Sequence, residues 1–403
     1  MSDAREARNS LNVLHIGKYF PPYAGGMETY LRDLMVAQAR RGLAPAALVH
    51  RSDLSLHSTE EAYQVRGQTL PITRAAVWAR LVFTPVSPTS PWLLRKLIGQ
   101  QRPDILHLHM PNVSAFWALL LPSARRIPWV VHWHADVLAS QHSRGLRLFY
   151  ALYRPFERAI LKRSKCIIAT SPPYLESSEP LKDFQDKCRV VPLGLDPENL
   201  AGIGQEIERS QSTPLRVLAI GRLTYYKGFE YLIRAVAGLE GVELHLVGTG
   251  ELDRPLRKLV SEFRVDDRVI FHGKLTDDEL AAQFHACDCL CLPSIERTEA
   301  FGMVLLEAMS QGKAAIVSRV AGSGMTWVVE EDVTGVHVPA ESARELALAL
   351  NQLRDNRGKI SRLGEQGQLR FERLFHIDKS EAGVAEIYQD IDRLASRCPG
   401  ESQ

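Results

Sequence analysis

One pattern runs through the chain twice: a short apolar run, a polar turn, then an amphipathic helical stretch. LNVLHIGKY (11–19) reads as a buried strand, followed by the turn PPYAGG, a helix from about Met27 to Arg41, and a strand in AALVH (46–50). After an irregular Ser-, Pro- and Thr-rich region at 51–90 the alternation resumes. PWLLRKLIGQQ reads as a helix, DILHLHM as a strand, VSAFWALLLPSAR as one helix and WVVHWHAD as a strand. A basic helix at about 145–163 and strands CIIATS and RVVPLGLD complete the first series. A second series starts at Leu215 with RVLAIG, VELHLVG, RVIFHG, the run Cys287–Pro293 and AAIVSR as strands, and helices fill 342–395. Parallel strands need crossover connections, so such alternation specifies mostly parallel, doubly wound sheets with helices on both faces. The length of 403 residues exceeds one ordinary core. The expected layout is an α/β chain of two doubly wound, Rossmann-like domains facing across a cleft. The N-terminal domain is 1–195, the linker 196–214 and the C-terminal domain 215–375. A final segment, 376–403, packs back toward the N-terminal domain.

Composition excludes several classes. Apolar content of 45% and charge of 24% are those of a globular protein. The longest apolar run, VSAFWALLLP (113–122), is about half of the ~20 residues a membrane span needs. The polar start MSDAREARNS leads directly into a strand, so no leader peptide is expected. Cys287, Cys289 and Cys291 alternate as on one face of a strand, a spacing that fits neither zinc nor a disulfide framework. Reduced thiols and a cytoplasmic place follow. The net charge of +2 hides an asymmetry: residues 1–195 carry 25 Lys and Arg against 14 Asp and Glu, and the remainder carries 24 against 33. A basic half can meet an anionic surface or a phosphorylated acceptor. No nucleic-acid motif or aromatic–basic interleaving accompanies it.

Polar residues gather where the strands end. They include Lys18, Gly25, Gly26, His107, His109, His134, Asp136 and Ser171 in the first half, and Gly221, Arg222, Lys227, Gly248, Gly250, His272, Gly273, Ser294 and Glu299 in the second. Ligands of doubly wound sheets bind at carboxyl strand ends. In PSIERTEAFGMVLLEAMSQ (293–311) a strand end and polar loop lead into a helix opening near Phe301-Gly302. The N–H groups of Phe301, Gly302, Met303 and Val304 suit a phosphate there, and Glu307, more than a turn in, suits the hydroxyls of a ribose. Arg222 and Lys227 can clamp a diphosphate and stabilise charge on a leaving phosphate. LVGTG lacks the dinucleotide fingerprint and no P-loop occurs. Strand pairs His107/His109 and His132/His134 could chelate, but lone strand histidines are commonly satisfied by backbone or water. The only Asp-x-Asp, Asp390–Asp392, does not follow a strand. No metal and no cofactor are therefore expected.

Together, Gly25-Gly26-Met27-Glu28, the region of His134, Arg222…Lys227-Gly228 and Glu299-x7-Glu307 resemble the retaining glycosyltransferases of family 4, which have the GT-B fold. The resemblance runs the length of the chain. More narrowly, HIGKYFPPYAGG, VVHWHADV, ATSPPYLESS and KCRVVPLGLD look like bacterial rhamnosyl- and mannosyltransferases of surface-polysaccharide assembly. It implies that Arg222 and Lys227 hold the diphosphate of a nucleotide-diphosphate sugar, Glu299 binds the sugar hydroxyls, Glu307 the ribose, and the Phe301–Val304 amides the distal phosphate. Gly25 and Gly26 would approach the diphosphate, and His134 would contact the sugar near its anomeric centre. Gly221, Gly248, His272, Leu275 and Ser294 complete the donor set, with base contacts around His272–Leu275. Glu28, His109 and Asp136 are acceptor-side candidates. Many relatives carry Gly-Gly-x-x-Glu after the strand that follows the Glu pair. Here that run is Ala321-Gly322-Ser323-Gly324-Met325-Thr326, so no carboxylate is assigned a role there.

The expected reaction moves a hexose, mannose or rhamnose favoured, to a glycan or lipid-linked acceptor. A non-catalytic nucleotide- or glycan-binding protein of the same fold is the alternative. A glycan phosphorylase would need a pyridoxal-phosphate lysine that nothing here marks. Residues 144–165 carry seven Lys and Arg and one Glu, with Leu146, Phe149, Tyr150 and Tyr153 at helical spacing. A basic amphipathic helix of this kind can lie on an anionic membrane, which would put the protein peripherally on the inner face.

Overall fold

In the computed structural model, which describes residues 10–81, 84–137, 144–200 and 213–397, the chain divides into two compact units. One holds the described residues up to Gly194 together with those from Ile377 onward, and the other is Leu195–His376.

Among the described residues the first unit has ten strands: β1 (Asn12–Ile16), β2 (Ala44–His50), β3 (Thr59–Val65), β4 (Gln68–Ala75), β5 (Ala79–Leu81), β6 (Thr84–Val86), β7 (Ile105–Met110), β8 (Trp129–Trp133), β9 (Cys166–Ala169) and β10 (Cys188–Val190). Eight form one sheet in the order β10-β9-β8-β7-β1-β2-β4-β3, and β5 pairs with β6 separately. All neighbours in the large sheet are parallel except β3, which is antiparallel to β4. The central strands β7 and β8 are buried along their whole length, as expected of a sheet covered on both faces.

The region 51–90, irregular by sequence, contains β3 to β6 and the start of the helix Ser90–Gln101. Its hairpin turns at Arg66 (φ 48°) and Gly67 (φ 72°), the left-handed pair that tight hairpins require. The stretch expected as one helix at 113–125 is broken into a 3-10 turn, Val113–Phe116, and two short helices, Trp117–Leu120 and Pro122–Arg125. Leu121, forced into the extended region ahead of Pro122, makes the second break. The helix Ile377–Arg397 packs on Gly26–Arg40 within this unit, where Tyr30 and Ser380 share a hydroxyl hydrogen bond of 2.9 Å.

The second unit has β11 (Leu215–Ile220), β12 (Val242–Val247), β13 (Val269–Gly273), β14 (Cys289–Leu292), β15 (Ala314–Arg319) and β16 (Gly335–Pro339), all parallel, in the order β13-β12-β11-β14-β15-β16. Its core is lined by Val217, Leu244, Cys289, Cys291, Ile316 and Leu350. Of the alternating cysteines Cys289 and Cys291 face that core, Cys287 lies buried just ahead of β14, and no disulfide joins the described cysteines. β16 carries no clear strand signal in the sequence, because its five residues GVHVP begin with Gly and end with Pro and leave too short an apolar run. Leu195 and the 3-10 turn Pro197–Leu200 belong to this unit, with Leu195 N–H donating to Phe375 O at 2.9 Å. Residues 201–212 of the expected linker lie outside the described residues.

The strand order places a topological switch between β11 and β14. The chain leaves β11 toward β12 and β13, then returns to lay β14 on the other side of β11. Crevices at the carboxyl ends of such a strand pair are where doubly wound sheets hold ligands.

Candidate active site

Three segments of the second unit converge at this switch point. After β11 the chain turns through Tyr225–Lys227, a single 3-10 turn closed by Gly228 at φ 66°. Ile295 N–H donates to Tyr226 O at 2.8 Å, docking this turn against the loop after β14. A Cβ on Gly228 would stand 2.2 Å from Pro293 O, so the approach requires glycine on both steric and dihedral grounds. Gly228→Ala is therefore expected to cost about 2–3 kcal/mol of stability. Denaturant unfolding checks it.

The docking delivers Lys227 to Glu299. The ammonium donates to the Glu299 carboxylate, and Ser294 Oγ donates to the same oxygen at 3.3 Å. Lys227 is 7% exposed and Ser294 fully buried. Burial alone pushes the Lys227 ammonium down. Glu299, helped by Tyr226 and Glu307, more than offsets this, so its pKa stands above the ordinary lysine value and the side chain is a permanent cation. A Cβ on Gly221 would stand 3.0 Å from Lys227 Nζ, which places the amine directly over the end of β11. Arg222 follows as an exposed side chain whose charge is felt by Tyr226.

The helix Met303–Ser310 starts at the same edge. Gly302 caps it in the left-handed region at φ 84°, so the first N–H groups of the helix have no intrahelical partner. Phe301 lies ahead of the helix, buried against Trp327 and Phe375 with ring centres 6.4 and 6.0 Å away. Met303 is buried, and Val304 and Glu307 are half-buried on the helix, with Glu307 close enough to bias Lys227. Gly248 N–H donates to Gly273 O at 2.8 Å, joining the ends of β12 and β13. His272 stands on β13, its Nε2 2.9 Å from His245 Nδ1, and burial lowers its pKa. Leu275, half-buried, follows two residues beyond that strand. The structure thus gathers Gly221, Lys227, Ser294, Glu299, Gly302 and Glu307 around β11 and β14, while His272 and Leu275 belong to the far edge, two strands from β11. Sequence reading missed Thr224, whose hydroxyl donates to Glu251, and Tyr225, whose hydroxyl donates to Glu296 at 2.8 Å. Neither carries a spacing signal, because the partners come from separate loops.

In the first unit, Gly25 caps the helix Gly26–Arg40. Glu28 folds back over it, its Oε2 2.2 Å from where a Gly25 Cβ would lie. Glu28 is buried in the first turn of that helix, where its charge complements the dipole. Asp136 Oδ1 accepts from Trp133 Nε1 at 2.8 Å and Ser178 Oγ at 2.7 Å, so that oxygen is engaged in joining β8 to the segment after β9. His109 has both ring nitrogens bonded, to His15 and His134. The sequence suggests two separate strand pairs of histidines, but His15, His107, His109 and His132 on three adjacent strands converge with His134 just past the end of β8. Two trios among them bring one ring nitrogen apiece within 4.8 Å of the others. The register of β1 on β7 and of β7 on β8, which pairs His15 with His107 and His109 with His132, could have revealed it.

A buried cation, a carboxylate beside it and a helix start, all at the switch point of a parallel sheet, suit an anionic ligand that carries hydroxyls. Residues 204–370 match the family model of glycosyl transferases group 1, and residues 25–194 that of the glycosyl transferase 4-like domain. The chain belongs to the GT-B glycosyltransferases of family 4 type. Among its relatives, the O-antigen chain mannosyltransferase C of Escherichia coli is 28% identical over 94% of this chain and 99% of its own length. The D-rhamnosyltransferase WbpZ of Pseudomonas aeruginosa is 27% identical, covering 91% of this chain and 92% of its own. Of solved structures, the sucrose-phosphate synthase of Thermosynechococcus elongatus superposes with a TM-score of 0.80 at 22% identity, over 95% of this chain and all of that one. Anabaena Alr3699/HepE in complex with UDP and glucose gives 0.71 at 19% identity, over 94% and 99%.

Proposed function

We propose that this glycosyltransferase moves mannose or rhamnose from a nucleotide-diphosphate sugar to a glycan or lipid-linked acceptor of surface-polysaccharide assembly, with retention of configuration and without a divalent ion. The observation that carries the reading is the buried Lys227 ammonium, held against Glu299 at the end of β11 beside the start of the helix Met303–Ser310. The names of the mannosyl- and rhamnosyltransferase relatives favour these two sugars.

In this reading Lys227 and Arg222 take the diphosphate, the amides at Phe301–Val304 take its distal phosphate, Glu299 the sugar hydroxyls and Glu307 the ribose. In this reading no carboxylate acts as a nucleophile on the far face of the sugar. The departing phosphate oxygen takes the acceptor's proton, and the protein positions the reactants and stabilises the leaving charge. Arg222→Ala should lower kcat by about two orders of magnitude, and steady-state transfer assays check it. Thermal-shift screening against GDP-, UDP-, ADP- and dTDP-sugars identifies the donor, since a specific ligand raises the apparent melting temperature by mass action. No shift with any of the four would contradict the proposal.

The N-terminal unit is proposed to bind anionic membrane through the helix Arg144–Arg163. The face differs from the sequence expectation, in which Tyr153 lay on the apolar docking stripe. Tyr153 is buried, and Leu152 and Phe156 stand exposed among Arg154, Arg158 and Lys162. Leu146 falls among the side chains outside the described set. No helix among the described residues is long and apolar enough to cross a membrane. Co-sedimentation with anionic vesicles should be strong at low salt, weaker at high salt, and reduced at both by Leu152→Ser with Phe156→Ser.

A further inference from the structure

Five buried histidines lie beneath the helices Gly26–Arg40 and Ile377–Arg397, and their contacts form two files. In the first, Gln38 Oε1 meets His15 Nε2 at 2.8 Å, His15 Nδ1 meets His109 Nε2 at 3.1 Å, and His109 Nδ1 meets His134 Nε2 at 2.9 Å. In the second, Gln38 Nε2 donates to the Tyr388 hydroxyl at 3.3 Å, which lies 2.5 Å from His107 Nδ1. His107 Nε2 in turn meets His132 Nδ1 at 3.3 Å. These contacts run edge to edge in the ring planes. For His109 and His134 the ring centres are 5.2 Å apart and the nitrogens 2.9 Å, a difference of about one ring width. For His15 and His109 the values are 5.4 and 3.1 Å. The files lie side by side, with His107 over His109 and His132 over His134 at 4.6 and 4.5 Å.

The ring nitrogens lie close enough to hold an ion. Their lone pairs, however, are directed along the files and not toward one point, as a metal requires.

Burial keeps His15 and His134 neutral near pH 7, with pKa values pushed down to about 4 and about 3, and His107, His109 and His132 are lowered likewise. A neutral imidazole donates from one nitrogen and accepts at the other, so each bond dictates the next. Gln38 Oε1 can only accept, which sets the proton of His15 on Nε2. His15 Nδ1 then accepts from His109 Nε2, and His109 Nδ1 from His134 Nε2. His134 Nδ1 is left as a bare lone pair, and this buried atom has no partner among the described residues.

We infer that Gln38, His15 and His109 are positioning residues that fix His134, at the carboxyl end of β8, with its lone pair on Nδ1. His134 thereby meets a sugar hydroxyl as a hydrogen-bond acceptor. The second file ends in the opposite sense. Tyr388 accepts from Gln38 and donates to His107, so His132 carries an unpaired Nε2–H. The inference about His134 rests on the reading that this residue touches the sugar.

The test is the tautomeric state of each histidine in the full-length protein, read from two-bond 15N–1H correlations of histidine-labelled samples. The wild type should show His134 protonated on Nε2 alone. Gln38→Leu should release it to a mixture of tautomers and lower kcat/KM about tenfold. Gln38→Glu, which retains an acceptor at His15, should preserve the wild-type tautomer. Tyr388→Phe should disturb His107 and His132 and leave His134 as it was. A proton on Nδ1 of His134 in the wild type, an unchanged tautomer in Gln38→Leu, or stoichiometric zinc bound among these rings overturns the inference. The wild-type spectrum decides even where Gln38→Leu does not fold. A tautomer released in Gln38→Leu with transfer unaltered upholds the files and refutes the sugar contact of His134.

Discussion

Lys227→Ala should lower kcat about 10²–10³-fold, equivalent to roughly 3–4 kcal/mol of lost transition-state stabilisation. Three features set so large an effect. The ammonium is buried, so little solvent screens it. Its charge is fixed by Glu299. It is held over the end of β11 by a turn that docks on the loop after β14, so it needs no reorganisation as charge develops on the leaving phosphate. Removing it also leaves the Glu299 carboxylate with Ser294 as its hydrogen-bond donor among the described residues, an uncompensated charge in a buried site. Stability should therefore fall as well. Glu299→Gln combined with Lys227→Met removes the unpaired charge: the double variant should recover much of the stability and, with Glu299 also assigned to the sugar, none of the activity. Recovery of transfer in the double variant would show that Lys227 acts only on folding.

Acidification should unfold the N-terminal unit between about pH 6 and pH 4. His15 and His50 are pushed down to about 4 and His134 to about 3, in each case chiefly by burial. A base whose folded pKa is depressed adds stability above its unfolded value of 6.5, and that stability drains away as pH falls toward the folded value. At pH 5 each of the three has given up about 2 kcal/mol, together an appreciable part of the ~5–15 kcal/mol that holds a typical domain. His107, His109 and His132 act in the same direction. Two carboxyls oppose them. Burial pushes Glu157 up to about 7, so the fold gains as pH drops through 7 toward 4.5, and burial raises Glu381 of the same unit likewise. Two groups gaining, Glu157 by about 2–3 kcal/mol at pH 5, do not match six losing. Hydrogen exchange followed from pH 7.5 to 4.5 should show protection of β1, β7 and β8 collapsing together. Protection that persists at pH 4.5 would mean that these histidines are not buried as neutral rings.

The doubly wound architecture was legible because fully buried parallel strands leave unbroken apolar runs. DILHLHM, WVVHWHAD and VELHLVG became β7, β8 and β12, overrunning them by one to three residues. The edge hairpin β3–β4 left no such signal, since TEEAYQV is half exposed and its turn depends on a left-handed arginine. Lys227, Ser294, Glu299 and Glu307 were legible as a group because all four lie on segments that leave β11 or β14. The strand order places β11 and β14 side by side. The histidine files were illegible, because they depend on strand register and on Tyr388, which arrives from more than 250 residues along the chain.

The most direct test is calorimetric titration of the preferred nucleoside diphosphate into wild type and Lys227→Ala, each with EDTA and with magnesium. Binding to the wild type should be equally tight in both buffers and at least tenfold weaker in the variant. Wild-type binding that vanishes in EDTA and returns with magnesium, or a variant that binds as tightly as the wild type, would contradict a diphosphate site held by Lys227 without a divalent ion.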